Sequence, residues 1–196
     1  MDAIFDFVKN FTHTRYEDIP GAAVEIAKKE VLDSLATALG GSSQAGVREL
    51  VDIVKEWGGR EQSSIIAYGI KCPAPNAAQV NATMIHALDY DDGHPSALVH
   101  IGCLTVSTCF AVAERMGKIK GKELITAMVL GADFLARLGL ASRPGTSLST
   151  SGWHPTTLYG FLGSAAMAGK ITGLDEEKMV NALGIAYHQC AGNGQC

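Results

Sequence analysis

The sequence predicts an all-α protein: a compact multi-helix bundle that forms a single helical domain over residues 1–196. Nearly every long apolar pattern in the chain repeats with the 3.6-residue period of an amphipathic helix. Only one short run, residues 63–69, has the β-branched and aromatic composition of a strand. The 196 residues are 47% hydrophobic and 18% charged, a balance that allows a sizeable buried core.

The first half of the chain contains three predicted helices and the strand-like run. Residues 4–11 carry a short amphipathic stripe. A second helix starts at Pro20 and ends at the glycine pair 40–41, because proline favours a first helical turn and glycine a helix end. A third runs from Val47 to Trp57 and is closed by two more glycines. Residues 71–75 contain two prolines and are predicted as a short extended connector.

Five further helices are predicted in the second half, and two of them are rich in Ala, Gly and Ser. Small side chains predict close helix packing around residues 77–87 and 160–169. The last helix opens with acidic residues, which are favourable at a helix N-terminus. Residues 139–152 are a loop by composition. The predicted helices cover residues 76–88, 102–116, 122–138 and 158–171 and the segment that follows Asp175-Glu176-Glu177.

Composition also argues against several classes of partner and location. Sixteen basic and twenty acidic residues give a net charge of −4, with no basic block, so neither nucleic acid nor an anionic membrane is an expected partner. We expect no membrane span, because no uninterrupted apolar run reaches the roughly 18–20 residues required. The N-terminus lacks the features of a secretion signal. Five cysteines without a CxxC pair predict reduced thiols, and all these features favour a cytoplasmic location.

The most informative segment is residues 89–102, DYDDGHPSALVHIG. It interrupts two helical patterns and concentrates acids and imidazoles, with His86 just upstream. Residue types of this kind at a helix break indicate proton transfer, metal binding or an elaborate helix cap. The acids and imidazoles of the segment are Asp89, Asp91, Asp92, His94 and His100.

The residues alone leave these alternatives open, although they favour acid–base chemistry. His86 and Asp89 could share a helix face, but there is no HExxH pattern and no second acid–histidine pair, so we expect no metal. A carboxylate beside an imidazole can fix its tautomer for proton transfer. A second histidine, His154, lies on a turn before a helix start, where backbone N–H groups favour an anion. Asp91 and Asp92 could also simply cap a helix.

Several long motifs resemble those of the MmgE/PrpD family. HALDYDDGHPSALVH resembles the family's HALDFDDTH…HPS signature, and CPAPNAAQVNATMIHALDY resembles the segment that leads into it. SGWHPTTLYGFLGSAAMAGKITGLDEEKMVNALGIA is similar to the family's GxHPT…ALGIA block, and KEVLDSLATALGGS to an early helix. The resemblance runs from about Glu30 to the end of the chain.

This resemblance implies a function and a set of site residues. The family contains 2-methylcitrate dehydratases, cis-aconitate decarboxylases and iminodisuccinate epimerases, which move protons next to a carboxylate of a small polycarboxylic acid without a cofactor. Its members combine a large helical domain with a smaller α/β lid, usually in a homodimer. The matching positions imply catalytic roles for Asp89, His100 and His154, and substrate-binding roles for Asp92 and His94.

The sequence also departs from the family pattern. Gly93 stands where a threonine is usual, and Ile101-Gly102 replaces a Pro-Ser pair. The family continues beyond the equivalent of Cys196 with a lysine-bearing loop and the lid, so we expect an N-terminal portion without its lid. The chain is then a fragment, a remnant, or the product of a split gene with a separately encoded C-terminal half as partner. Arg143 is the remaining candidate to bind substrate carboxylates.

The leading expectation is therefore a cofactor-independent dehydratase resembling 2-methylcitrate dehydratase. The first alternative is an epimerase or decarboxylase on the same scaffold. The second is a catalytically inactive, truncated helical dimerisation module.

Overall fold

Helices form all the long elements of the protein. The computed structural model describes residues 2–142 and 152–192, and the prediction of an all-α fold is confirmed. The described residues contain eight α-helices and one two-stranded sheet, with a single 3₁₀ turn at Tyr16–Asp18. The elements are α1 Ala3–His13, α2 Gly21–Gly41, α3 Val47–Trp57, β1 Ser63–Ile65, β2 Ile70–Cys72, α4 Ala74–His86, α5 Gly102–Met116, α6 Gly121–Ala141, α7 Pro155–Thr172 and α8 Glu176–Gln189.

Helix α5 lies at the centre of the bundle. It packs against α2, α4, α6 and α7 as well as β1. Its buried face includes Val106 and Cys109, and it belongs to one large apolar cluster that also contains Met84 of α4, Phe134 of α6 and Met167 of α7. Burial of such side chains is the main favourable term in folding. The two ends of α5 are therefore fixed relative to the neighbouring helices.

Close helix crossings depend on glycines, as the small-residue composition predicts. A Cβ at Gly163 of α7 would lie 2.7 Å from a methyl group of Leu135, and a Cβ at Gly131 of α6 would lie 2.2 Å from the sulfur of Met167. The crossing of α2 and α4 is closer still, because a Cβ at Gly41 would lie 2.0 Å from the backbone oxygen of Met84. These contacts hold α2, α4, α6 and α7 tightly around α5.

The strand prediction is correct only in part. Residues 63–65 form β1, but the remainder of the predicted strand is a turn, and the predicted connector supplies the antiparallel partner β2, with Ser64 opposite Lys71. The hairpin is anchored to α5 by the Ser63 hydroxyl, which donates to the Ala111 carbonyl at 2.6 Å. Glu114 of α5 accepts from the backbone N–H of Ser64 at 2.6 Å. Anchoring to a helix compensates for the short strand length.

One described helix, α6, is long and apolar enough to cross a membrane by length and composition. Asp133 and Arg137 interrupt its apolar residues, so it is not the uninterrupted apolar run that the sequence was expected to lack. Buried residues run along α6 from Thr126 to Gly139. Because core helices of water-soluble proteins pass the same test, this property is weak evidence for a membrane span.

The cysteines agree with the expectation of free thiols as far as they are described. Cys72, Cys103, Cys109 and Cys190 form no disulfide. Cys196 lies outside the described residues.

The α2–α4 crossing leads to a stability prediction. Gly41→Ala should destabilise the protein by about 3 kcal/mol, because the new methyl group meets a backbone carbonyl that cannot move without shifting α4. Gly184→Ala in α8 is the matched control, since no atom lies within 4 Å of its Cβ position. It should stabilise by about 0.5–1 kcal/mol through helix propensity. Urea denaturation followed by circular dichroism measures both, and equal effects would contradict the close crossing.

Candidate active site

The segment between α4 and α5 folds into a hydrogen-bonded turn that contains His94. The backbone N–H of His94 donates to the carbonyl of Val99 at 3.0 Å, and the N–H of Leu98 donates back to the carbonyl of His94 at 2.8 Å. The His94 ring accepts from the Ala97 N–H through Nδ1 at 3.0 Å. This ring therefore stabilises the turn, and its predicted role in substrate binding stays a prediction.

Asp92 caps helix α5. Its Oδ1 accepts the Gly102 N–H at 2.6 Å, which satisfies one of the free donors of the first helical turn. A Cβ at Gly102 would lie 2.6 Å from this oxygen and 2.7 Å from the Ser34 hydroxyl, so glycine allows the cap to form. The helix-cap interpretation is thus correct for Asp92, whose predicted substrate contact is not tested.

Asp91 lies between two imidazoles. Its side chain is 0% exposed, and its Oδ1 lies 2.9 Å from Nδ1 of His86 and 3.2 Å from Nδ1 of His100. The His86 contact is a hydrogen bond, whereas the His100 contact is within ion-pair distance but outside hydrogen-bond alignment. Oδ2 of Asp91 has no hydrogen-bond partner among the described residues. Asp91 is thus a buried acid and not a helix cap.

Asp89 approaches His100 from the solvent side. Its Oδ1 is 3.6 Å from Nε2 of His100, and its side chain is 82% exposed. The backbone of Asp89 is left-handed, with φ of 49°, a conformation that Asp adopts more readily than most residues. His100 therefore has one carboxylate near each of its ring nitrogens.

The segment that contains His154 lies close to this cluster, at the start of α7. His154 is the N-cap of α7, and its Nδ1 lies 3.1 Å from the hydroxyl of Thr157. The backbone N–H of His100 donates to the hydroxyl of Thr156 at 3.0 Å, which joins the two segments directly. The His86 ring lies between the other two, with centroids 4.5 Å from His100 and 6.0 Å from His154.

The surroundings of His86 and His154 shift the pKa values of the two imidazoles in opposite directions. The hydrogen bond to Asp91 raises the pKa of His86. Burial opposes ionisation of Asp91, but His86 and the charge of His100 outweigh it and lower the pKa of this carboxyl. Burial, with repulsion from the two other imidazoles, lowers the pKa of His154. His86 is therefore biased toward the charged form and His154 toward the neutral form.

One of the imidazoles, that of His86, lines a cavity of about 950 Å³ between α4, α5 and α7. His86, Thr156 and Thr157 line it near the cluster, and most of its remaining wall is apolar. Arg115, near the end of α5, is the one arginine or lysine among the described residues that line it. Arg143, the cation expected to bind substrate, lies outside the described residues.

The structure brings together the three residues assigned catalytic roles, Asp89, His100 and His154, and adds two more. The sequence indicates His86 only as a candidate metal ligand and Asp91 only as a candidate helix cap. The sequence does carry a signal for His86: it lies three residues before Asp89, and it is the last residue of α4, next to the loop that holds the other acids and imidazoles. Their catalytic roles remain predictions. One donor atom from each of His86, Asp89, Asp91 and His100 lies within 4.8 Å of the others, so these residues could also hold a metal ion.

A further acid, half-buried, lies near the Asp92 cap. Glu30 of α2 accepts a hydrogen bond from the hydroxyl of Thr105 on α5. Burial raises the pKa of Glu30 to about 7, against a smaller opposing effect of Thr105. The polar region around the start of α5 therefore carries a carboxyl that holds its proton near neutral pH.

Comparison with known proteins agrees with the motif resemblance. The MmgE/PrpD N-terminal domain matches residues 4–196. A cis-aconitate decarboxylase of Aspergillus terreus is 33% identical over 180 residues, which are 90% of this chain and 36% of that protein. Human cis-aconitate decarboxylase is 31% identical over 170 residues, 83% of this chain and 34% of that protein. The chain spans about a third of the length of these relatives.

The Asp91–His86 hydrogen bond predicts that removal of the Asp91 carboxylate changes the pKa of His86. Asp91→Asn should lower the pKa of His86, because the hydrogen bond to this carboxylate is the largest cause of its elevation. Asp89→Asn is the control and should change the pKa of His86 less, since Asp89 acts only through its more distant charge. Histidine NMR titration of the three proteins measures the effect. An unchanged His86 titration in Asp91→Asn would contradict the contact.

The Glu30 environment predicts a pH-dependent gain in stability. A folded-state pKa of about 7 against an ordinary 4.5 means that folding stability falls as the pH rises through this interval. Glu30→Gln mimics the protonated form, so it should stabilise the protein above pH 7 by up to about 3 kcal/mol, with the gain fading toward pH 4.5. Denaturation midpoints across this range test it. Glu25→Gln, exposed on the same helix, should give no such gain.

Proposed function

Because this chain belongs to the MmgE/PrpD family, we propose that it supplies the acid–base residues of a cofactor-independent lyase acting on a small polycarboxylate. The observation that carries the proposal is the convergence of His86 and His100 on the buried Asp91 carboxylate, with His154, from a distant segment, 6.0 Å from the His86 ring. Three neighbouring imidazoles, one of which lines a cavity, are suited to move protons near neutral pH. The matched relatives support a lyase-type activity.

Decarboxylation of cis-aconitate, or of a similar unsaturated tricarboxylate, is the first reaction to consider, because the matched relatives are named for it. In such a step the bond between carbon and one carboxylate breaks and carbon dioxide leaves. The electron pair passes through the adjoining double bond toward another carboxylate. A protonated histidine then delivers a proton to carbon. The site has to provide this donor and stabilise the transient negative charge.

Dehydration of a hydroxylated polycarboxylate is the second candidate. It removes a proton from carbon beside a carboxylate and protonates the departing hydroxyl, so it needs an acceptor and a donor at once. The opposite bias of His154 and His86 favours this division of work. His154, which is biased toward the neutral form, would act as base in the tautomer whose Nδ1–H donates to the Thr157 hydroxyl. Its Nε2 is then unprotonated, and it has no hydrogen-bond partner among the described residues.

The two carboxylates that contact His100 have positioning roles in this proposal. Asp91 orients His86 through the Nδ1 hydrogen bond and lies beside the same atom of His100, while Asp89 approaches the opposite ring nitrogen. A carboxylate partner fixes the tautomer and direction of an imidazole. The substrate would then meet rings whose orientations are set before it binds.

Substrate carboxylates require cations that the described cluster does not contain. Arg115 lines the far wall of the cavity, and Arg143 remains a candidate. Since the chain spans about a third of its relatives, we propose that the remaining cations come from a C-terminal half, encoded in the same or a separate chain. A homodimeric assembly in the cytoplasm is part of the same proposal.

The function is tested by substitution in the complete assembly, that is, this chain together with its C-terminal half. His100→Ala and His154→Ala should each reduce turnover by about 10²–10⁴-fold, the usual contribution of a general acid or base. NMR detection of carbon dioxide loss from cis-aconitate, and ultraviolet absorbance for double-bond formation from 2-methylcitrate or citrate, distinguish the two reactions.

His13→Ala is the matched control. His13 pairs with Glu176 at 2.8 Å on the exposed surface and should leave turnover unchanged. Circular dichroism must show that each variant keeps its helical fold. Full activity of His154→Ala, or no reaction of the complete assembly with any of the three substrates, would contradict the proposal.

A further inference from the structure

We propose that His86, Asp89, Asp91 and His100 form a binding site for one divalent first-row transition metal ion, such as Zn²⁺ or Co²⁺. This property is separate from the lyase activity and does not make the ion a requirement for it. A donor atom of each of the four side chains lies within 4.8 Å of a donor atom of every other. The four residues come from the end of α4 and the loop that leads into α5.

The separations between donor atoms are close to those of a coordinated ion. Zinc–nitrogen and zinc–oxygen bonds of about 2.0–2.2 Å place tetrahedral ligands about 3.3–3.6 Å apart. Oδ1 of Asp91 lies 2.9 Å from Nδ1 of His86 and 3.2 Å from Nδ1 of His100. Oδ1 of Asp89 lies 3.6 Å from the other nitrogen of His100, Nε2. His100 would give the ion one of its two nitrogens, and side-chain rotations would bring the other three donor atoms, all within 4.8 Å, around the same point.

An independent observation is the incomplete hydrogen bonding of the buried members. Asp91 has a side chain that is 0% exposed, yet its Oδ2 has no hydrogen-bond partner in the described part of the chain, and neither has Nδ1 of His100. A buried polar atom without a partner costs about 1–3 kcal/mol, and a charged one more. A metal ion would satisfy both residues and offset this cost.

The local charge also favours a cation. Asp89 and Asp91 contribute two carboxylates, and in residues 2–142 and 152–192 their ion-pair partners are histidines, with no lysine or arginine among them. Binding of a divalent ion to neutral imidazoles would balance the two negative charges. Because metal ligands bind in their deprotonated form, uptake should release protons from the histidines.

The ligand types determine which ions should bind. Imidazole nitrogen suits Zn²⁺, Co²⁺ and Ni²⁺, whereas Mg²⁺ prefers an all-oxygen shell. An ion at this position would occupy His100 and Asp89, so it would compete with the proton transfer proposed for these residues. Metal binding and catalysis are nevertheless measured by different experiments, and the failure of one leaves the other standing.

The test is titration of this chain, as it exists, with Zn²⁺ by calorimetry and with Co²⁺ by visible absorption, under reducing conditions. We expect one ion per chain, release of protons detected in buffers of different ionisation enthalpy, and a Co²⁺ spectrum of nitrogen and oxygen ligands. His86→Gln, His100→Gln and Asp89→Asn should each weaken binding by about tenfold or more. His13→Gln, which alters another histidine–carboxylate pair, should leave it unchanged.

Asp89→Asn keeps the test decisive if a histidine variant fails to fold, because the Asp89 side chain is 82% exposed and contributes little to packing. Several results would overturn the proposal: no binding at millimolar Zn²⁺, equal affinity for Mg²⁺, or affinity that Asp89→Asn does not change. A thiolate charge-transfer band in the Co²⁺ spectrum would place the ion on a cysteine and would also overturn it.

Discussion

The arrangement of the candidate site depends on the burial of one carboxylate. An ionised Asp91 removed from water is unfavourable unless charged or hydrogen-bonding groups compensate it. His86 provides a hydrogen bond and His100 a close ion-pair contact, so the acid and the two rings have to stay together. This requirement links the last turn of α4 to the loop before α5. The functional groups are thereby fixed by the same interactions that allow the loop to fold.

The remainder of the bundle provides the rigid support for this cluster. Asp92 fixes the start of α5, and the hydrogen bond from His100 to Thr156 fixes the loop to the start of α7. Glycines at the crossings allow α6 and α7 to pack closely, because side chains such as Leu135 occupy the space that a Cβ would need. Three helix ends therefore meet at one place with little freedom, as acid–base chemistry requires.

The sequence predicts the helices well and the hairpin poorly. The prediction of Gly102–Met116 is confirmed at both ends, because a glycine turn follows a clear helical pattern. The strand-like run failed as a single strand because its second half adopts a turn stabilised by the side chain of Asn81, which accepts from the Ile66 N–H at 2.9 Å. Such a contact joins positions 15 residues apart and leaves no local pattern.

The site could be predicted only where local sequence motifs mark its residues. The motifs indicated Asp89, His100 and His154, whose positions follow the helix breaks. The Asp91 side chain is buried, and the backbone of Asp89, two residues earlier, is left-handed. Sequence spacing reveals neither feature. Asp91 and Asp92 are adjacent acids with equal capping preference, yet one is buried among histidines and the other caps α5.

The apolar cavity beside the cluster has a practical consequence for anyone who studies this protein in solution. Fluorescent dyes such as anilinonaphthalene sulfonate report exposed apolar surface and are commonly taken to mark a molten globule. A cavity of about 950 Å³ with mostly apolar walls and Arg115 in its lining offers such an anionic aromatic dye a site on the native fold. Dye fluorescence is therefore a poor indicator of partial unfolding here, and loss of helical circular dichroism or of dispersed NMR signals is the better criterion.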